Sequence, residues 1–127
     1  MNPVVLVIED NEQNLYLMRF LLEKNGFSVL EATDGEKGVE LAKETKPDLI
    51  LLDIQLPIMD GYAVARELRK NSELAGTAIV AVTSYAMVGD REKVLAAGAD
   101  GYIEKPIDPD TFIAKIAQYL PIGMRGE

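Results

Sequence analysis

Asp48-Leu49-Ile50-Leu51-Leu52-Asp53, followed by Ile54-Gln55-Leu56-Pro57, is the stretch on which the reading of this chain turns. Residues 49–52 are continuously apolar, and the run ends in a carboxylate. A short apolar run bounded by polar or turn residues fits a strand buried on both faces. Asp53 then stands at the carboxyl end of a central strand, with Pro57 and Gly61 in the turn beyond it. Ligands of open α/β sheets bind at that edge. A lone strand-end aspartate also fits a simple helix cap, so the rest of the chain has to decide.

Working outward, residues 3–8 are rich in β-branched side chains and predict a first buried strand ending at Glu9-Asp10-Asn11. Asp10 or Asn11 can cap a helix over about residues 12–25, which Gly26 closes. Residues 27–31 predict a second strand, and Asp34-Gly35 leads into a helix that stops before Pro47. Beyond the opening stretch, Asp60-Gly61 starts a helix carrying Val64, Ala65 and Leu68 that fades at Asn71-Ser72. Residues 77–83 predict a fourth buried strand, and a helix with Val94, Leu95 and Ala96 ends at Gly98. A short fifth strand over 100–104 is stopped by Lys105-Pro106, and a last helix over about 108–120 turns Phe112, Ile113, Ile116 and Ala117 inward. Strands alternating with helices specify a parallel sheet covered on both faces, an α/β doubly wound fold.

The length of 127 residues suits one domain. A net charge of −8 argues against a nucleic-acid partner, because phosphate contacts need clustered Lys and Arg. The chain has neither cysteine nor histidine, which excludes disulfides, thiolate metal sites and histidine-based catalysis. No signal peptide or membrane-length apolar run is visible, so a cytoplasmic protein with no membrane partner is expected.

In a parallel sheet the strand C-termini share one edge. Four strands end there in polar groups: Glu9-Asp10, Asp53, Thr83 and Lys105. Three converging carboxylates repel one another unless one is protonated or a cation sits among them. Oxygen-only ligands favour a hard ion, Mg²⁺ above all. Lys105 is a mobile point charge suited to phosphate, and Thr83 offers a hydroxyl to a phosphoryl oxygen. One carboxylate can then act as nucleophile and become an aspartyl phosphate; Asp53 is central, while Glu9 and Asp10 are better placed to hold metal.

These motifs, together with Leu56-Pro57, Asp60-Gly61, Thr83-Ser84 and Lys105-Pro106, resemble those of the receiver domains of bacterial response regulators. The resemblance covers about residues 3–120. It implies a flavodoxin-like (βα)5 fold with strand order 2-1-3-4-5 and a cis Lys105–Pro106 bond. It implies that Asp53 accepts a phosphoryl group from a histidine kinase or a histidine phosphotransfer protein. It also implies that Asp10, Asp53 and the backbone carbonyl of Gln55 ligate Mg²⁺, with Glu9 helping through water, and that Thr83 and Tyr102 form a switch. The bistable part would be the loop over residues 84–90 and the helix after it.

Two other classes of protein share part of this pattern. A Mg²⁺-dependent phosphohydrolase with an aspartyl-phosphate intermediate needs a second aspartate two residues after the nucleophile, where this chain has Gln55. A flavin-binding module needs a Ser/Thr/Gly-rich loop, where this chain has Glu9-Asp10-Asn11-Glu12. Within the receivers, residues 1–120 are expected to be the receiver domain and 121–127 a tail with no output domain. That favours a free-standing regulator, a monomer when unphosphorylated, over a receiver cut from a hybrid kinase. Finally, at 100° per residue Asn14, Leu17, Met18, Leu21 and Leu22 cluster on the core side of the first helix. Tyr16 and Phe20 fall on the other side, and as an exposed aromatic pair they predict the surface where the kinase or phosphotransfer helices dock.

Overall fold

The apolar runs become five strands: β1 (Val4–Ile8), β2 (Ser28–Ala32), β3 (Leu49–Asp53), β4 (Ala78–Thr83) and β5 (Gly101–Glu104). They form one parallel sheet in the order β2-β1-β3-β4-β5, in a computed structural model that describes residues 2–56, 59–84 and 89–120. Pro57, part of the loop over 84–90 and the tail over 121–127 therefore lie outside the described residues. Among the described residues four α-helices make the crossovers, α1 (Glu12–Lys24), α2 (Gly35–Thr45), α3 (Gly61–Arg69) and α4 (Asp90–Ala97), and α5 (Phe112–Ala117) follows β5.

Period-two alternation sorts the strand side chains into two layers. Leu6, Ile8, Ile50, Leu52, Ile79 and Ala81 face α2, α3 and α4. Val5, Val7, Leu49, Leu51, Val80 and Val82 face Met18 and Leu22 of α1 and Phe112 and Ile116 of α5. Because both faces are covered, β3 is buried at every residue, Asp53 included.

Register is pinned at the far edge. The Asp48 carboxylate accepts from the Val4 N–H at 2.7 Å, and the Asp48 N–H donates to the Val4 carbonyl at 2.8 Å. Val5 thus pairs with Leu49 and Ile8 with Leu52. One residue further on, Glu9 comes level with Asp53.

Local chemistry sets the helix starts. Asn11, Asp34 and Asp60 cap α1, α2 and α3 by accepting from Asn14 N, Lys37 N and Ala63 N. Asn11 rather than Asp10 takes the cap, which leaves Asp10 for other work. Gly61 is required by close approach: a Cβ there would lie 2.5 Å from Ile54 Cα and 2.7 Å from the Asp53 carbonyl oxygen. Its N–H donates to the Ile54 carbonyl at 3.0 Å, so α3 starts directly on the chain leaving Asp53.

Some boundaries differ from the sequence expectation. Phe27 lies before β2, buried in the α1–α5 layer rather than paired in the sheet. In the run 94–96, Val94 turns inward with Ala97, and Leu95 stays 40% exposed. The last helix is shorter than 108–120: Asp108 closes a turn by accepting from Thr111 N and Phe112 N before α5 begins. Ile113 and Ala117 are half-buried on it rather than fully inward.

The sequence did not advertise the role of Arg69 at the end of α3. Its Nε donates to the Gly98 carbonyl at 2.8 Å. Its Nη1 donates to the Leu74 and Thr77 carbonyls, both at 2.9 Å. Its Nη2 pairs with Asp100 at 2.7 Å, and the same Asp100 oxygen accepts from the Ile79 N–H at 2.8 Å. One guanidinium thus ties α3 to the approaches of β4 and β5. Arg69→Met should lower the unfolding free energy by about 3 kcal/mol through lost charge-assisted bonds and stranded carbonyls. Arg69→Lys should not restore it, since an ammonium lacks the planar fork. Urea melting checks both.

Candidate functional site

The C-terminal edge of the sheet gathers the predicted residues. Glu9 follows β1, is fully buried, and holds its position by donating its N–H to the Ala32 carbonyl at 3.0 Å. Asp10, next in line, is exposed. Asp53 ends β3 and is 2% exposed. One carboxylate oxygen from each of Glu9, Asp10 and Asp53 lies within 4.8 Å of the others. The trio has one open side, at Asp10, as a site reached from solvent requires.

Lys105 enters from the end of β5. Its N–H donates to the Thr83 carbonyl at 2.8 Å, and the Lys105–Pro106 peptide bond is cis, as the resemblance implied. The ammonium sits 3.1 Å from Glu9 Oε1 and 3.3 Å from Asp53 Oδ1. Asp53 Oδ1 also accepts from the Gln55 N–H at 3.0 Å. Glu9 Oε2 accepts from the Asn11 N–H at 3.2 Å. Glu9 Oε1 has charge proximity to Lys105 but no aligned hydrogen bond, and among the described residues it is a buried acceptor left without a donor.

One ammonium cannot neutralise three carboxylates. The imbalance shows at Glu9, whose carboxyl is pushed up from 4.5 to about 7, first by burial and then by the neighbouring Asp53. A proton and a hard cation are alternative answers to the same excess of negative charge. The donor set is all oxygen, includes an orphaned buried acceptor, and is open at Asp10; it fits a divalent ion of the Mg²⁺ type.

Thr83 is buried at the end of β4. Alternation puts it with Ala81 and Ile79, on the α3–α4 side of the sheet. Tyr102 pairs in register with Ala81, so it lies diagonally beside Thr83 on that face. The register therefore sets Thr83 and Tyr102 on one face of adjacent strands. On α1, Tyr16 and Phe20 are 60% and 50% exposed, and their rings stack at 6.4 Å between centroids. Arg19 and Lys24 lie over the two rings. Among the described residues no helix is long and apolar enough to cross a membrane.

The ion pairing of Lys105 with Glu9 was not anticipated, because nothing local in the sequence reports a contact between the first and last strands. The contacts of Tyr62 with Lys93 and of Tyr102 with Arg91 carry no sequence signal either.

Comparison with known proteins agrees with this geometry. The chain belongs to the response regulator receiver domain family, which it matches over residues 5–117. It is a receiver of two-component signalling. It is 42% identical over 116 residues to the polar-differentiation response regulator DivK of Brucella anthropi, covering 91% of this chain and 94% of the relative. DivK of Brucella ovis is 42% identical over 120 residues, covering 94% and 98%. Among solved structures, the receiver domain of a sensor histidine kinase of Pseudomonas aeruginosa PAO1, with magnesium coordinated in its active-site cleft, superposes with TM-score 0.86. Its identity is 32%, with 94% of this chain and 98% of that chain covered. The chemotaxis response regulator CheY4 of Vibrio cholerae has TM-score 0.90 at 25% identity, with 94% and 100% covered.

The Glu9 shift has a consequence for stability. In buffer without divalent cations, the folded chain retains a proton on Glu9 between about 4.5 and about 7 that the unfolded chain has lost. The contribution of Glu9 is therefore greatest below 4.5 and is lost as pH rises through about 7. Glu9→Gln should flatten that decline when melting temperatures are compared at acidic and neutral pH. Mg²⁺ should lift the wild type above pH 7 by binding only the native state, and Asp10→Ala should remove most of the lift. Parallel pH slopes for wild type and Glu9→Gln would contradict the assignment.

Proposed function

We propose that Asp53 is the phosphoacceptor of this receiver, and that the receiver passes its phosphorylation state to a protein surface. The observation that carries the reading is the buried Asp53 carboxylate, level with Glu9 and 3.3 Å from the Lys105 ammonium at the open edge of the sheet. Oδ1 is engaged by Gln55 N–H and Lys105, so Oδ2 is the attacking oxygen. It forms the new O–P bond as the P–N bond to the donor's phosphohistidine breaks, and the departing electron pair returns to that nitrogen of an imidazole that keeps its proton on the other nitrogen. Lys105 swings its charge onto a phosphoryl oxygen, and the Thr83 hydroxyl donates to another. Asp10, Asp53 and the Gln55 carbonyl would hold Mg²⁺, with Glu9 helping through water. When bound, that ion neutralises charge on the transferring phosphoryl oxygens. Positioning and charge neutralisation are most of what phosphoryl transfer needs.

Phosphorylation then draws the Thr83 hydroxyl inward and lets the Tyr102 ring turn toward it, which resets α4 and the loop before it. The donor is a cytoplasmic histidine kinase or phosphotransfer protein, and the unphosphorylated receiver is a monomer. The acidic surface, net −8, supports no nucleic-acid partner.

With a small phosphodonor and Mg²⁺, the protein should gain one acid-stable, base-labile phosphoryl group, and Asp53→Asn should abolish it because an amide is not a nucleophile. Equal labelling of both proteins would end the assignment.

The donor docks on Tyr16 and Phe20. Two stacked rings more than half or half exposed have no structural need to face water, and α1 begins beside Asp10. Tyr16→Ala with Phe20→Ala should leave labelling by the small phosphodonor intact while slowing transfer from the kinase at least tenfold, the loss expected for about 1.4 kcal/mol of docking energy. Wild-type transfer kinetics would place the docking surface elsewhere.

A further inference from the structure

Helix α4 is secured unequally at its two ends. At the C-terminal end Gly98 adopts φ 119°, and its carbonyl is gripped by Arg69 Nε at 2.8 Å. At the N-terminal end Gly89 provides no side-chain cap. Only Val94 and Ala97 of α4 are buried. Two cation–π contacts reach out from its first turns. Lys93 Nζ lies 4.6 Å from the ring centroid of Tyr62 on α3. Arg91 Cζ lies 5.6 Å from that of Tyr102 on β5. Tyr62 directly follows Gly61, on the segment that leads away from Asp53. Tyr102 is half-buried opposite Ala81, a small neighbour over which a ring can turn.

We propose that Arg91 and Lys93 are latches that hold α4 and the Tyr102 ring in the resting position; the inference rests on the reading of Thr83 and Tyr102 as a switch. A contact biases a two-state equilibrium only by what is lost in the transition. Arg91 loses its contact when the ring turns inward, and Lys93 loses its contact when the start of α4 moves off α3. Each such contact at an exposed site is worth roughly a two- to fivefold bias. The Arg69 grip on Gly98 persists in both positions, so it sets where the helix pivots rather than which way it lies.

The test uses the full chain with Arg91→Met and Lys93→Met, which keep an apolar stem and remove the charge. Beryllofluoride with Mg²⁺ serves as the phosphoryl mimic. Each variant should bind the mimic roughly two- to fivefold more tightly than wild type, because more of it already occupies the competent state. The double variant should show the product of the two factors. Without the mimic, amide shifts over residues 98–104 in the double variant should move part of the way along the displacement that the mimic causes in wild type. Arg91→Lys, which keeps a cation, should stay near wild type. Unchanged affinity and unmoved shifts in the double variant, with wild type responding to the mimic, would overturn the latches and leave the switch standing. Tightening by Arg91→Lys equal to that by Arg91→Met would also overturn them. A wild type that takes up the mimic without any response over residues 89–104 would remove the switch and the latches together.

Discussion

Two carboxylates set side by side out of reach of water constrain the whole molecule. Glu9 and Asp53 are neighbours because β1 and β3 run parallel in a register that Asp48 and Val4 pin at the opposite edge. Burial removes the solvation that would make their charges tolerable, and the Lys105 ammonium offsets only part of the excess. The site is therefore poised to take up positive charge, as a proton or as a metal ion. Apolar layers on both faces of β1 and β3 prevent the carboxylates from relaxing apart, since moving either would open a close-packed core.

The surroundings keep that cluster accessible. Asn11 takes the helix cap, so Asp10 remains free at the mouth of the site. Gly61 lets α3 begin against the chain leaving Asp53, where a side chain would meet backbone. A central carboxylate, buried yet reached from one side, results from these two local choices.

Rigidity is unevenly distributed around the site. The layer of α1 and α5 fills its side of the sheet with Met18, Leu22, Phe112 and Ile116. Helix α4 contributes only Val94 and Ala97 to the other layer. Elements with little buried apolar area are the ones that move at low free-energy cost. The fold thus places its least anchored helix next to Thr83 and Tyr102, on the far side of the sheet edge from α1. The exposed aromatic pair on α1 and the lightly buried α4 thus lie on opposite faces of the sheet.

The sequence by itself determined the alternation of strands and helices, the buried central strand, the sheet edge that collects Glu9, Asp10, Asp53, Thr83 and Lys105, and the exposed pair Tyr16 and Phe20. These are legible because periodicity and strand-end polarity are local properties, set by which side of an element meets water. The helix ends were less legible: α5 starts late because a turn at Asp108 competes with helix for the same backbone groups. Only the tertiary structure decided that Lys105 would pair with Glu9, that Arg69 would gather carbonyls from three segments, and that Arg91 and Lys93 would lie over Tyr102 and Tyr62. Those contacts join residues far apart in the chain. Their geometry follows from strand register and from how each helix packs on the sheet, which sum many small packing energies over the whole core and leave no mark in any short stretch of sequence.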